Sequence, residues 1–254
     1  MKKLSLLLIC SLMLAGVAFT QAGAGLGPVR LKLGGKVGQT NEYSMIMNME
    51  MQLSSADGVQ KTKMDSEMLI EKKIIDISES VIKSETVIKK SKVLKEGVEV
   101  PTQIDGQVTI IEQNRNGKIL KQEVVGSKQP SSFKAPSTVF PEKAVNIGSK
   151  WSGKEELPQQ MFMNYTNTVI NLEKKKGKLI ATIEIDLKIN SSHPMLKADG
   201  TGKGMLYFNV DDGDIEKSTM TMDMNVVIPG PGGKDMVNNT TMKMIMKKLK
   251  SDKK

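Results

Sequence analysis

Cysteine is almost absent from this chain, and the one residue present, Cys10, sits in a segment that does not belong to the mature fold. Lys2 and Lys3 precede an apolar run, Leu4 to Leu14, broken only by Ser5 and Ser11. Small residues follow, with Ala22-Gly23-Ala24 fitting the A-x-A cleavage pattern and Thr20-Gln21-Ala22 a second fit. Residues 1–24 therefore read as a secretory signal peptide, too short to serve as a spanning helix. Cys10 follows Ile9 inside the apolar run rather than a small residue at the cleavage site, so the exported chain is expected not to be lipidated. Cleavage near Ala22–Ala24 leaves a periplasmic or secreted product, residues 25–254, without disulfide or thiolate chemistry.

Histidine is equally scarce. His193 is the single copy, in the turn-like context Ser191-Ser192-His193-Pro194. Without a second histidine or a cysteine, the usual zinc and non-haem iron sites cannot be built. No G-x-S-x-G stretch accompanies it, so a serine hydrolase is not indicated. Glu184 and Asp186 alternate against a wholly apolar strand face, which marks theirs as the solvated side. Asp211-Asp212-Gly213-Asp214 lacks the spacing and closing glutamate of an EF-hand and reads as a hairpin turn. Thr201-Gly202-Lys203-Gly204 is too short for a phosphate loop. The expectation is a non-enzyme with no catalytic residues, metal or cofactor.

Aromatic residues make up 4% of the chain, which supplies neither a stacking platform for nucleic acid nor the aromatic girdles of a porin. After the leader, no apolar stretch is long enough to cross a bilayer as a helix. The formal charge is +9, and loss of the leader takes only Lys2 and Lys3 from it. Such a balance favours an anionic membrane surface as a partner, although lysines spread over many strands also simply keep the wet faces soluble. The sequence leaves the oligomeric state unspecified.

What the chain has in abundance is methionine, 19 residues in all. Three runs place one at every second position: Met45, Met47, Met49 and Met51; Met220, Met222 and Met224; and Met242, Met244 and Met246. The residues between are mostly polar, as in Ser218-Thr219-Met220-Thr221-Met222-Asp223-Met224-Asn225. A period of two puts the methionines on one face of a β-strand and the polar residues on the other.

The remaining pattern is also that of strands. Leu31-Lys32-Leu33 opens as a short strand, and residues 42–54 carry the first methionine run. Ala56-Asp57-Gly58 marks a hairpin, and the return strand slips parity at Ile74-Ile75-Asp76-Ile77, which predicts a bulge. Val81 to Ile88, Gln107 to Gln113 and Ile119 to Val125 complete a first half, 30–125. A Pro- and Ser-rich linker, 126–141, separates it from a second half, 142–249. There Met161, Met163 and Tyr165 share one parity, Leu179 to Ile189 alternates cleanly, Met205 to Val210 and Asp214 to Ile228 form a hairpin, and Asp235 to Leu249 closes the chain. Gly38 before Tyr43 parallels Gly148 before Trp151, and Gly117-Lys118-Ile119 parallels Gly213-Asp214-Ile215. The repeat suggests two similar halves within a single domain; convergent hairpin chemistry would give the same spacings. The expected fold is all-β: a long-stranded antiparallel sheet of about ten or eleven strands, curled into a half-barrel or barrel, with little helix.

The ligand expected on such a face is hydrophobic or amphiphilic, and lipid-like, because unbranched thioethers conform to a chain of variable shape. Met45, Met47, Met49, Met51, Met220, Met222, Met224, Met242, Met244 and Met246 are the candidate contacts, with Trp151 as a packing anchor. Two other readings stand beside it: a closed methionine-rich core with no ligand, and copper(I) held by thioethers from neighbouring strands. Phe140 to Trp151 resembles the P-x-x-x-V-x-x-G-x-x-W stretch of exported bacterial proteins of unknown function, through Pro141, Val145, Gly148 and Trp151. The long strands, leader and missing catalytic set are similar to the LolA/LolB/LppX half-barrel carriers, which implies a curved sheet cradling acyl chains. This chain departs from that group in having no lid helix or lipobox.

Overall fold

The computed structural model describes residues 26–55, 58–126, 139–157, 160–191, 193, 197–229 and 235–252. The expected leader, 1–24, and residues 127–138 of the expected linker lie outside the described residues. The described residues form twelve strands: β1 (Thr40–Ser55), β2 (Gly58–Ile77), β3 (Val81–Lys95), β4 (Val98–Val100), β5 (Val108–Asn114), β6 (Ile119–Val124), β7 (Lys150–Leu157), β8 (Met161–Lys175), β9 (Lys178–Ser191), β10 (Lys197–Asn209), β11 (Asp214–Ile228) and β12 (Met236–Asp252). They make one antiparallel sheet in the order β6-β5-β3-β2-β1-β12-β11-β10-β9-β8-β7, with β4 paired to β3. β6 and β7 are its two edges, so the sheet is not closed into a barrel. Each half is an up-and-down meander, and the two are joined in the middle of the sheet by β1 against β12.

Alternation decides which way each strand faces. Along β2, Met64, Ser66, Met68, Ile70, Lys72 and Ile74 point one way, and Ser66 and Ile74 are buried. Along β9, Ala181, Ile183, Leu187 and Ile189 are buried while Glu184, Asp186 and Lys188 are not. The predicted parity slip is a bulge between Ile74 and Asp76 against β3, and β8 carries one between Val169 and Asn171 against β9. Bulges increase local twist and coil a long ladder.

Curling is visible in the core. One cluster joins Ile74 of β2 and Ile82 of β3 to Val169 and Leu172 of β8, which lie towards opposite edges of the sheet. Flanks this far apart in strand order can share a core only if the sheet wraps round at that end. Leu31, Leu33, Phe140 and Val145 fill the space between them, and the Phe140 and Phe208 rings meet at 4.6 Å between centroids. Leu31–Leu33, expected as a strand, is instead an extended plug. Its backbone is satisfied by turns rather than by a ladder: Leu33 donates to the Arg115 carbonyl and Gly34 to that of Gly213. Val29 and Val145 form a bridge between the two segments that precede β1 and β7.

Those segments end in matching turns. Gly38 donates to Ile74 O and Gln39 to Lys36 O; Gly148 donates to Val169 O and Ser149 to Asn146 O. In each, a side-chain oxygen of the last turn residue, Gln39 or Ser149, accepts from the first residue's N–H. Both glycines adopt positive φ, +84° and +87°, where a side chain would be strained. The likeness of the two halves rests on this shared turn and on the bulge that faces it.

Candidate functional site

The three methionine runs fall on three adjacent strands at the centre of the sheet. β1 pairs with β12 so that Met45 faces Met246, Met47 faces Met244 and Met49 faces Met242. β12 pairs with β11 so that Met244 faces Met220 and Met242 faces Met222, with Met224 opposite Thr240. β2 adds Met68 beside Met45 and Met64 beside Met49, while Met51 lies beside Thr62. Rows of sulfur-bearing side chains thus cross the sheet at strand spacing, about 4.8 Å. The juxtaposition comes from direct pairing of the first long strand with the last, not from approach of the sheet edges.

All ten candidate methionines are half-buried. Met163 on β8, by contrast, is 7% exposed and belongs to a packed cluster with Tyr165, Leu187 and Ile189. Met220, Met222 and Met224 lean against that cluster across β10. They can do so because β10 presents Gly204, Gly202 and Gly200 opposite them. A Cβ on Gly204 would lie 2.7 Å from Met220 Cε, and one on Gly202 would lie 3.2 Å from Leu187 Cδ1. The glycine stripe is a trench in which neighbouring side chains lie down. Gly204→Val should therefore cost about 1–3 kcal/mol by overpacking and push Met220 off β9; urea unfolding checks the first, and the Met220 methyl NMR shift the second. Gly153 does the same on β7, where the Tyr165 ring lies over it.

Toward the plugged end the same face turns polar. Tyr43 continues the parity of Met45, and Lys248 opposite it continues that of Met246. Asp214 accepts hydrogen bonds from Asn41 Nδ2 (2.8 Å) and the Tyr43 hydroxyl (2.8 Å), and pairs with Lys248 Nζ at 2.7 Å. The two charged side chains are only 9% and 6% exposed. Burial, and then the Asp214 charge, push the Tyr43 hydroxyl well above the ordinary tyrosine range. Lys72, opposite Asn41 on β2, is pushed below the ordinary lysine value, chiefly by burial and further by Lys248, with Asp214 opposing. Asp214, expected where a hairpin turn meets the strand Asp214 to Ile228, is the buried first residue of β11. The strand parity of Lys72 and Tyr43 was the signal that they face inward.

Trp151 is not part of the methionine wall. It lies on β7, separated from β11 by β8, β9 and β10, packs against the plugged-end core and donates from Nε1 to Val139 O at 2.7 Å. His193 follows β9, its N–H donating to Ser191 Oγ at 3.0 Å. No helix among the described residues is long and apolar enough to cross a membrane, and no cluster of His, Cys, Asp and Glu among them could hold a metal. On the outward parity a groove of about 730 Å³ opens between the Lys175–Lys178 turn, Tyr207, Lys217 and Lys247.

No protein-family model and no curated protein matches the chain. Solved structures similar to it include lipovitellin, described for its lipid–protein interactions, at 10% identity and a TM-score of 0.49. That match covers 85% of this chain, and the chain spans only 26% of lipovitellin. A putative outer membrane lipoprotein-sorting protein domain from Vibrio parahaemolyticus matches at 10% identity and a TM-score of 0.20, over 82% of this chain and 84% of that one. An outer membrane channel from Pseudomonas putida F1 matches at 5% identity and a TM-score of 0.26, over 88% and 100%. At such identities and scores no residue of this chain acquires a role from them, and membership of the V-x-x-G-x-x-W proteins is not shown by any of them.

Proposed function

We propose that this protein is an exported, non-enzymatic carrier that holds a hydrophobic or amphiphilic, lipid-like ligand on the methionine-lined inner face of its sheet. One observation carries the reading. Ten methionines from three distant parts of the sequence converge on one continuous wall, yet all stay only half-buried beside a core that buries Met163. A contiguous apolar surface left open on a chain that builds a dry core elsewhere is a binding surface rather than filler. Methionine suits a flexible hydrocarbon chain, since its side chain repacks at little cost. That contrast speaks against the closed-core alternative.

Native mass spectrometry of protein taken from its source compartment, with hydrophobic-dye titration, tests the proposal. Co-purifying lipid and a saturable dye site are expected. Met222→Asp should weaken dye binding at least tenfold, because a carboxylate cannot be desolvated against an acyl chain. Thr221→Asp, on the exposed outer parity, should leave it unchanged. A bare mass with no dye binding would sink the carrier.

A second reading has one specific observation behind it. Met49, Met242 and Met222 lie side by side on adjacent strands, as do Met47, Met244 and Met220. Each trio offers soft ligands from neighbouring strands, which copper(I) accepts. Anaerobic copper(I) titration against a weak chelator decides it, and absence of competition disposes of it.

A further inference from the structure

The methionine wall ends on charge, and that end is asymmetric. Of the two lysines facing inward there, Lys248 is neutralised by contact with Asp214. Lys72 makes no hydrogen bond or ion pair with any described residue; Asp214 reaches it only through its field, and Lys248 opposes it. Glu216, whose charge reaches Tyr43, is engaged by Asn209 Nδ2 at 3.0 Å. Around Lys72 the inward positions are Thr86 on β3 and Asn41 on β1, and Asn41 already gives its amide to Asp214. One step nearer the plug, Ser84 opposite Ile74 is fully buried, and its hydroxyl has no partner. The next inward residues up β2 are Ile70 and Met68, where the methionine wall begins.

Lys72 is half-buried on the inward face, and an ammonium held there without a contact counter-ion is costly unless something pairs with it. Here the missing partner is an anion, and the way to it runs along an apolar wall. We infer that Lys72 is the head-group anchor of the carrier, binding a carboxylate or phosphate whose hydrocarbon chain lies on Met68, Met45 and Met246. The inference rests on the carrier reading above and narrows it, from any hydrophobic ligand to an anionic amphiphile. The anion would accept from Lys72 Nζ, a charge-assisted hydrogen bond with no competitor in contact.

The test uses the purified mature chain with a fluorescent long-chain fatty acid, its methyl ester and inorganic phosphate as probes. The acid should bind at least tenfold more tightly than the ester, and phosphate alone should not displace it. Lys72→Gln should bring the acid down to the affinity of the ester while leaving the ester unchanged, and Lys72→Arg should keep most of the preference. Equal binding of acid and ester by the unaltered protein overturns the anchor and leaves the carrier standing. Binding of neither overturns the carrier itself. If Lys72→Gln loses acid and ester alike, Lys72 supports the fold rather than the ligand and the anchor is wrong. Displacement of the acid by phosphate would mean the site takes free phosphate, which also overturns it. The acid-to-ester ratio of the unaltered protein decides the matter even if no Lys72 variant folds.

Discussion

Asp214→Ala should destabilise the protein by about 3–5 kcal/mol, one of the two largest effects expected of any single substitution here. The carboxylate holds three groups from two other strands: Asn41 and Tyr43 of β1 and Lys248 of β12. Removing it leaves the Lys248 ammonium, 6% exposed, without its counter-charge, and leaves the Tyr43 hydroxyl and Asn41 amide without an acceptor. Urea unfolding at neutral pH measures the loss. The double variant Asp214→Ala, Lys248→Met should recover much of it, because an apolar pair is tolerated where half of an ion pair is not. A loss below about 1 kcal/mol would mean that water reaches Lys248, as in ordinary surface pairs.

Phe208→Ala should cost a similar amount, about 3–5 kcal/mol, for a different reason. Phe208 is 0% exposed and packs against Phe140, which reaches it from the segment before β7. Truncation opens a cavity at the point where the plug meets the sheet, and the plug cannot collapse into it because its backbone is tied to the Arg115 and Gly213 carbonyls. The expected result combines a lower unfolding midpoint with faster proteolysis around Leu31–Leu33. The methionine wall lies beyond this end, so dye binding by the fraction still folded should be unchanged. Loss of dye binding in step with folded protein that remains would show that plug and wall are one unit.

Strand faces were legible from residues alone, because a period of two is a local property. Met45 to Met51 and the slip at Ile74-Ile75-Asp76 behave in the sheet as their alternation requires, and Leu179 to Ile189 does so from Ile183 onward, whereas Ile180 and Thr182 on the expected wet parity are buried. Strand lengths were less so. β10 begins at Lys197 rather than Met205, because Gly200, Gly202 and Gly204 look like strand breakers. They are tolerated there because Met220 and Leu187 occupy the space a Cβ would fill. β3 runs on to Lys95 through a lysine-rich stretch, and the short β4 has only two valines and a glutamate to announce it. The polar seam was beyond reach from sequence. Nothing in the segments around Asn41, Lys72, Asp214 and Lys248 says that sheet order brings all four together, since pairing partners are a non-local choice.

Pairing of β1 with β12 has a consequence for the order of events in making the protein. Four of the ten wall methionines lie on β1, and the middle column, Met242 to Met246 on β12, is synthesised only after the other eleven strands of the described sheet. Until then β1 and β11 each keep one unpaired edge, with nine strands between them in sequence, the arrangement that makes folding slow and aggregation easy. β12 therefore acts as a keystone: before it is made the methionine columns of β1 and β11 stand apart, and their open edges need shielding until it is in place.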